Sequence, residues 1–450
     1  MEKTVDLERL TNLAKRRGFV YPTAEIYGGL SAIYDFGPLG VLLKNNIRQE
    51  WWKRFVQMKT DIVAVDSAVI TKREVLQASG HEESFTDPMV ECKVCNERFR
   101  ADQEIPPASD HVHELTEAKR FHLMFKTHVG PTEETGSIAY LRPETAQGMF
   151  TNFKTILDTA RVKIPFGIAQ VGRSFRNEIT TGEWLFRLRE FEIAEIEYFV
   201  KPGEDEKWFD AWLKEWEKFF LDLGLSKENL KRHEHPKDTL AHYSKRTVDL
   251  RFHFSQGWKE LAGVANRTDY DLKNHQEKSG KDLRYFDEKD GTKYLPYVIE
   301  PTMGLERAMF AFLADAYKEY KGGRGEKKGS SPKASEDKES EGGVETVLHL
   351  HPRLTPIKAA VFPLVNKEKL PNIAQDIVKE LKEHYFVQYD DSGSIGRRYR
   401  RQDEIGTPFC VTVDFESQKK KTVTVRDRDS MKQERVAISE LRGYFVEKLA

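Results

Sequence analysis

Apolar residues recur at three- and four-residue spacing over 4–18, 40–58 and 204–223, the pattern of helices with one buried face. The first segment predicts a short helix stopped at Gly18. The second is anchored by Leu42, Leu43, Ile47, Trp51, Trp52 and Phe55. The third carries Trp208, Trp212, Trp216 and Phe219–Phe220, a stripe that reads as core rather than as a ligand site. Apolar runs predict strands over 61–70, 138–142 and 164–178. A hairpin follows. Arg176 and Glu178 end one strand, a turn holds Gly182, and a second strand carries Arg187, Arg189, Phe191, Ile193, Glu195 and Glu197. Alternate strand residues share a face, so one face presents arginines at one end and carboxylates at the other. That arrangement suits a ligand with phosphates at one end and an ammonium at the other.

The rest of the chain divides by composition. Residues 27–30 and 35–40 are turn-rich. Residues 91–125 read as an insertion, and the Lys- and His-rich 225–246 as a mobile connection. Residues 321–344 lack aromatics and hold almost nothing apolar, so they read as a disordered linker. Beyond it, strands over 359–364, 386–389, 409–413 and 422–425 alternate with helices over 371–384, 394–401 and 437–448. That alternation predicts a small α/β domain. The predicted units are 1–320, the linker, and 345–450.

At 450 residues the chain is too long for one ordinary domain, and 39% hydrophobic content is enough for real cores. The net charge of −1 gives no global sign of nucleic-acid binding, so any such contact must come from local basic patches. No run reaches the ~18 apolar residues of a membrane span. The N-terminus lacks an apolar h-region, and three cysteines do not make a disulfide scaffold. These features predict a cytoplasmic protein.

Arg176-Asn177-Glu178, then Arg187, Phe191 and Glu195, resembles motif 2 of the class II aminoacyl-tRNA synthetases. Leu141–Gly148, Gly263–Leu272 and Val298–Leu305 resemble the homodimeric glycyl-tRNA synthetases within that class. The resemblance runs from about Leu10 to the C-terminus. It implies an α+β fold: an antiparallel sheet with flanking helices, followed by an anticodon-binding α/β domain. It also implies ATP with Mg²⁺, glycine and tRNA(Gly) as ligands, and a homodimer. Motif 1 would be the helix over 40–58 and the strand after it. The proline that ends the family motif is missing here, since Lys72 follows Thr71.

By the same resemblance, Arg176 takes the α-phosphate, Glu178 the adenine amino group and Phe191 the adenine ring. Arg187 lies towards the pyrophosphate, and Arg307, in Gly304-Leu305-Glu306-Arg307, takes the γ-phosphate. Glu260 is the Mg²⁺ ligand, and Asn177, Phe186, Leu261 and Gly304 complete the ATP site. Arg176 and Arg307 are the catalytic pair. Arginine suits these places because its planar fork matches phosphate and stays charged.

Glycine poses its own problem. A pocket gains only about 1–3 kcal/mol per methylene, so a substrate with no side chain must be gripped by its ammonium and carboxylate. The resemblance gives that task to Glu144, Glu195, Glu197 and Glu300, with Arg100 on the carboxylate and Thr302 offering a hydroxyl. Two rival functions stand beside this one: a class II enzyme for another small amino acid, and a catalytically silent synthetase-like nucleic-acid-binding subunit. The presence of Arg176, Arg187 and Arg307 favours an enzyme.

Two local features remain. Cys92-Lys93-Val94-Cys95 has metal-knuckle spacing, with His111, His113 and His122 nearby. A zinc site needs four ligands and only one such pair exists, so a structural pair is preferred to zinc. Arg397, Arg398, Arg400 and Arg401 surround Tyr399, a grouping suited to phosphate contact and base stacking.

Overall fold

The computed structural model describes residues 5–131, 137–179, 182–241, 243–324 and 343–449. Its centre is a seven-stranded sheet. The strands are β1 (Ile62–Ala64), β2 (Phe166–Phe175), β3 (Glu190–Val200), β4 (Leu230–Glu234), β5 (Arg246–Phe254), β6 (Gly257–Thr268) and β7 (Tyr297–Gly304). Their order is β4-β5-β6-β7-β3-β2-β1, antiparallel throughout except for the β2–β1 pair.

The two faces of this sheet are built differently. Ala194, Ile196, Tyr198 and Val200 of β3 point into one large core with Ile299 and Met303 of β7. Three helices cover that side: α2 (Pro38–Trp52), α4 (Asp205–Asp222) and α5 (Leu305–Ala316). The tryptophan stripe of α4 is part of this core: Trp216 is fully buried, and its ring lies 4.5 Å from Phe55. On the other face, helix α3 (Ala146–Ala160) packs Met149, Phe150 and Phe153 on Phe166, Ile168, Phe199 and Val298. That cover stops partway along the strands and leaves the rest of the face open.

Several predicted elements move. Helix α1 (Leu7–Arg17) ends at Gly18, which sits at φ 76°, as a left-handed cap requires. The strand expected over 61–70 splits. Only Ile62–Ala64 joins the central sheet, and Ile70–Lys72 pairs with Ile138–Leu141 in a separate one. Residues 225–246 are not a loose connection: they supply edge strand β4 and a segment that roofs the cleft described below. The core of the predicted linker, 325–342, lies outside the described residues. Its flanks are ordered, with Lys321 pairing Val344 in an antiparallel ladder from Tyr317–Lys321 to Val344–Leu348. Arg324 is buried against Glu345 and Asp403, 2.7 Å from the latter.

After that ladder comes a five-stranded sheet of β8 (Ala359–Pro363), β9 (Val387–Tyr389), β10 (Phe409–Val413), β11 (Thr422–Asp427) and β12 (Gln433–Ala437), in the order β9-β8-β10-β11-β12. It packs on α6 (Leu370–Lys382) and α8 (Leu441–Lys448), and α7 (Ile395–Ile405) lies over it as well. Helical periodicity divides the arginine cluster of α7. Arg398 is buried and donates to the Pro363 carbonyl, Arg401 pairs with Asp390, and the Tyr399 hydroxyl meets Thr412 at 2.6 Å. Arg397 and Arg400 are exposed. Tyr399 packs against Phe362, so its ring serves the fold and is not a stacking platform. Among the described residues no helix is long and apolar enough to cross a membrane.

Candidate functional site

The open half of the sheet face forms the floor of a cleft of about 590 Å³. Register explains its content. Glu195 stands opposite Thr302, and the same register sets Glu197 opposite Glu300. On the next strand Gly263 faces Thr302 and Ala265 faces Glu300, so small residues leave space over the acids. Along β3, one face therefore runs from Phe199 under α3, through Glu197 and Glu195, to Ile193 and Phe191 in the open.

The acidic end is held by a buried network. Arg267, 1% exposed, donates to both Asp271 oxygens and, at 2.9 Å, to Glu300. The Arg267 guanidinium lies 3.9 Å from the Tyr243 ring centroid. Gln147 donates to Glu144 and Asp271 and accepts from His275. Thr145 donates to Glu195, and His81 Nε2 lies 3.2 Å from Glu144. Burial raises the Glu195 carboxyl, and the Glu144 charge adds to the effect. Burial also holds Glu300 well above the usual range, against the pull of Arg267. Glu144 goes the other way. Burial pushes it up, but His81 and Arg267 outweigh that and its carboxyl is lowered. The acidic end thus sets one carboxyl held low, Glu144, beside others held high. An entering ammonium would favour their ionisation. Glu197 is fully buried, and neither carboxyl oxygen has a hydrogen-bond partner.

The loop before α3 reaches this end because Arg142 anchors it, donating to the Ser67 and Arg173 carbonyls. The Arg142 guanidinium lies where a Cβ at Gly172 would stand, so a larger residue there would displace this anchor.

The cationic end is looser. The Arg176 guanidinium sits between the Phe85 and Phe191 rings, 5.4 and 5.5 Å from their centroids, and donates to the Pro143 carbonyl. Arg307 rests on the Phe186 ring and pairs with Glu260 at 3.1 Å. Glu306, one residue earlier, faces away. It binds Lys44 and the Glu192 backbone N–H, fixing the start of α5 to the sheet. Asp249 and His235 meet at 2.8 Å nearby, and burial, then the Glu260 charge, raises Asp249.

Residues 125–316 match the family description "tRNA synthetase class II core domain (G, H, P, S and T)", and residues 358–448 match "Anticodon binding domain". A protein named glycine–tRNA ligase from Thermobifida fusca (strain YX) is 48% identical over 470 residues, covering 100% of this chain and 99% of its own. One of the same name from Streptomyces coelicolor is 49% identical, with 98% of each chain covered. This chain belongs to the glycine–tRNA ligase family. A solved prolyl-tRNA synthetase from Cryptosporidium parvum, complexed with L-proline and AMP, shares the class II fold at a TM-score of 0.63. It is 14% identical and covers 98% of this chain and 77% of that one.

Most residues singled out by the class II resemblance meet in the one cleft. Arg176, Glu178, Phe186, Arg187, Phe191, Glu260, Gly304 and Arg307 line one end, and Glu144, Glu195, Glu300 and Thr302 the other. Four depart from expectation. Glu197 is sealed behind the wall. Leu261 points into the core, and Asn177 lies off the wall with its N–H on the Leu123 carbonyl. Arg100 lines the cleft, but its fork is taken by Asp102 and by Asp87 at 2.7 Å, with Glu178 acting on it further off. Sequence reasoning missed Arg267, Thr145, His81, His235 and Asp249. Arg267 and Thr145 stood inside quoted motif words and could have been found; His235 fell in a segment read as mobile.

Proposed function

We infer that this chain carries out the reaction of its family. Glycine and ATP give glycyl-adenylate and pyrophosphate, and the glycyl group passes to the 3′ end of tRNA(Gly). One observation carries the inference: a single sheet face brings three arginines and an acidic recess into one cleft. In the first step a glycine carboxylate oxygen bonds to the α-phosphorus as the bond to pyrophosphate breaks. In the second, the tRNA hydroxyl attacks the glycyl carbonyl and AMP leaves. Charge develops on phosphate oxygens, so positioned cations are the main help a protein can give.

The roles divide accordingly. Arg176 serves the α-phosphate, Arg187 the pyrophosphate side and Arg307 the γ-phosphate. Phe191 takes the adenine ring and Glu178 its amino group. Glu144, Glu195, Glu300 and Thr302 surround the glycine ammonium, and Glu197 lies buried behind them. Glu260 and Asp249 offer the oxygen donors Mg²⁺ takes, which fits them to hold it. Mg²⁺ bound there would neutralise charge on the phosphate oxygens. Pairing with Glu260 parks Arg307 near the place where phosphate would draw it. We assign the protein to the cytoplasm as a homodimer, for which exposed Ile26 and Tyr27 offer apolar surface. A monomer mass by light scattering would overturn the dimer.

The test is ATP–pyrophosphate exchange with each amino acid in turn. Exchange should depend on glycine. Equal exchange with serine, alanine or proline would select the other small-substrate reading, and no exchange at all would select the silent subunit.

A further inference from the structure

The insertion contains a second site, separate from the cleft. Its sheet is small: Thr86–Glu91 pairs with Arg98–Arg100 on one side and Lys119–His122 on the other. Of its strand residues only Asp87 and Val90 are buried, so it has almost no apolar core. Small units of this kind are commonly held by a metal or by disulfides.

Cys92 and Cys95 leave the first strand in a tight turn. The Val94 N–H points at Cys92 Sγ, 3.4 Å away, and Asn96 follows at φ 60°. The chain returns through His111 and His113 and pairs back at Leu115, opposite Cys92. The return brings His111 Nε2 to 3.6 Å from Cys92 Sγ and His113 Nδ1 to 3.9 Å from Cys95 Sγ. All four ligand atoms lie within 4.8 Å of one another. Zinc bonds of ≈ 2.3 Å to sulfur and ≈ 2.0–2.1 Å to nitrogen put those atoms ~3.6 Å apart across a tetrahedral centre.

Each imidazole turns its far nitrogen to an oxygen. His111 Nδ1 is 2.7 Å from Asp110 Oδ1, and His113 Nε2 is 3.1 Å from the Pro106 carbonyl. A nitrogen facing an oxygen acceptor carries the proton, which leaves the nitrogen facing the cysteines with its lone pair free. Outer oxygens of this kind fix metal-bound histidines. A disulfide between Cys92 and Cys95 would need neither histidine and would leave this pattern without a purpose.

We propose that Cys92, Cys95, His111 and His113 bind one Zn²⁺ ion in tetrahedral S₂N₂ coordination, closing the insertion onto its own first strand. Two thiolates and two imidazoles select zinc over the oxygen-seeking Mg²⁺ of the nucleotide site. The ion acts structurally, since four protein ligands leave no open position. The same small sheet carries Asp87 and Arg100 to the cleft, so the zinc also sets the position of that wall.

The test uses the full-length protein, purified without chelator under reducing conditions. Metal analysis should give close to one zinc per chain, released when a mercurial titrates the thiols. Replacement by Co²⁺ should give the visible bands of a tetrahedral site together with thiolate-to-cobalt charge transfer. Cys95→Ser and His113→Ala should each weaken Zn²⁺ binding at least 100-fold. Two results would overturn the proposal: cobalt bands without charge transfer, or Zn²⁺ affinity unchanged in both variants. Should the variants fail to fold, the cobalt spectrum of the unaltered chain still decides.

Discussion

The two ends of the cleft solve opposite problems. The acidic end is finished before any ligand arrives. Its carboxyls are buried, locked by Arg267, Gln147 and Thr145, and several are held away from their usual titration range. The cationic end is unfinished. Arg176 lies between two rings, and Arg307 rests on Phe186 against half-exposed Glu260. The difference follows from the ligands assigned to each end. A substrate with no side chain can be recognised only by a rigid recess that fits its ammonium. A triphosphate brings its own charge and can draw flexible arginines into place. Rigidity is therefore concentrated at the acidic end and reach at the cationic end.

Four substitutions sharpen or break that contrast. Arg267→Ala should have the largest effect, because it strands Glu300 and Asp271 without their countercharge. Losing one partner of a buried pair costs about 3–5 kcal/mol, which urea unfolding will read. Unchanged stability would mean that the acidic end is not locked. Arg307→Ala should leave stability within about 0.5 kcal/mol of the parent. It should lower kcat for glycine-dependent pyrophosphate exchange ~10²–10³-fold, the usual loss when one transition-state donor is removed. A matching loss of stability would erase the distinction between the ends.

Glu195→Ala removes a charged contact worth about 1.5–3 kcal/mol, so the glycine KM should rise ~10–150-fold with the ATP KM retained. An unchanged glycine KM would refute its role. Glu197→Gln should be the mildest change. Burial, then the Glu300 charge, holds Glu197 well above the ordinary range, so the folded chain keeps a proton that the unfolded chain gives up. Stability from this group is complete below the ordinary glutamate pKa and is lost as pH rises towards the raised one. As pH rises above the ordinary glutamate pKa the glutamine variant should therefore lose less stability than the parent, as read by urea unfolding at each pH. Parallel curves would show that Glu197 is ionised and compensated.

How far these features were legible depended on distance along the chain. Strand alternation alone placed Phe191, Ile193 and Glu195 on one face, because a period of two needs no tertiary information. The three arginines and the acids were legible through their motif words. The purpose of Arg267 was not, since its partners Asp271 and Glu300 are set by the β6–β7 register and the helix after β6. The partners of Arg100 were hidden for the same reason: the acids that hold its fork depend on how the insertion folds back. Segment 225–246 looked loose because its residues are polar and many are exposed, yet His235, Leu240 and Tyr243 turn to the cleft. In α7, a cluster of four arginines could not reveal that helical spacing buries Arg398 and turns Tyr399 inward.

The ladder joining Tyr317–Lys321 to Val344–Leu348 has a practical consequence. Lys321 and Val344 are neighbours across it, so two points distant in sequence are held side by side. Cargo spliced after Arg324, such as a reporter or an affinity handle whose own ends lie close together, need not pry that ladder or the Arg324 pairs apart.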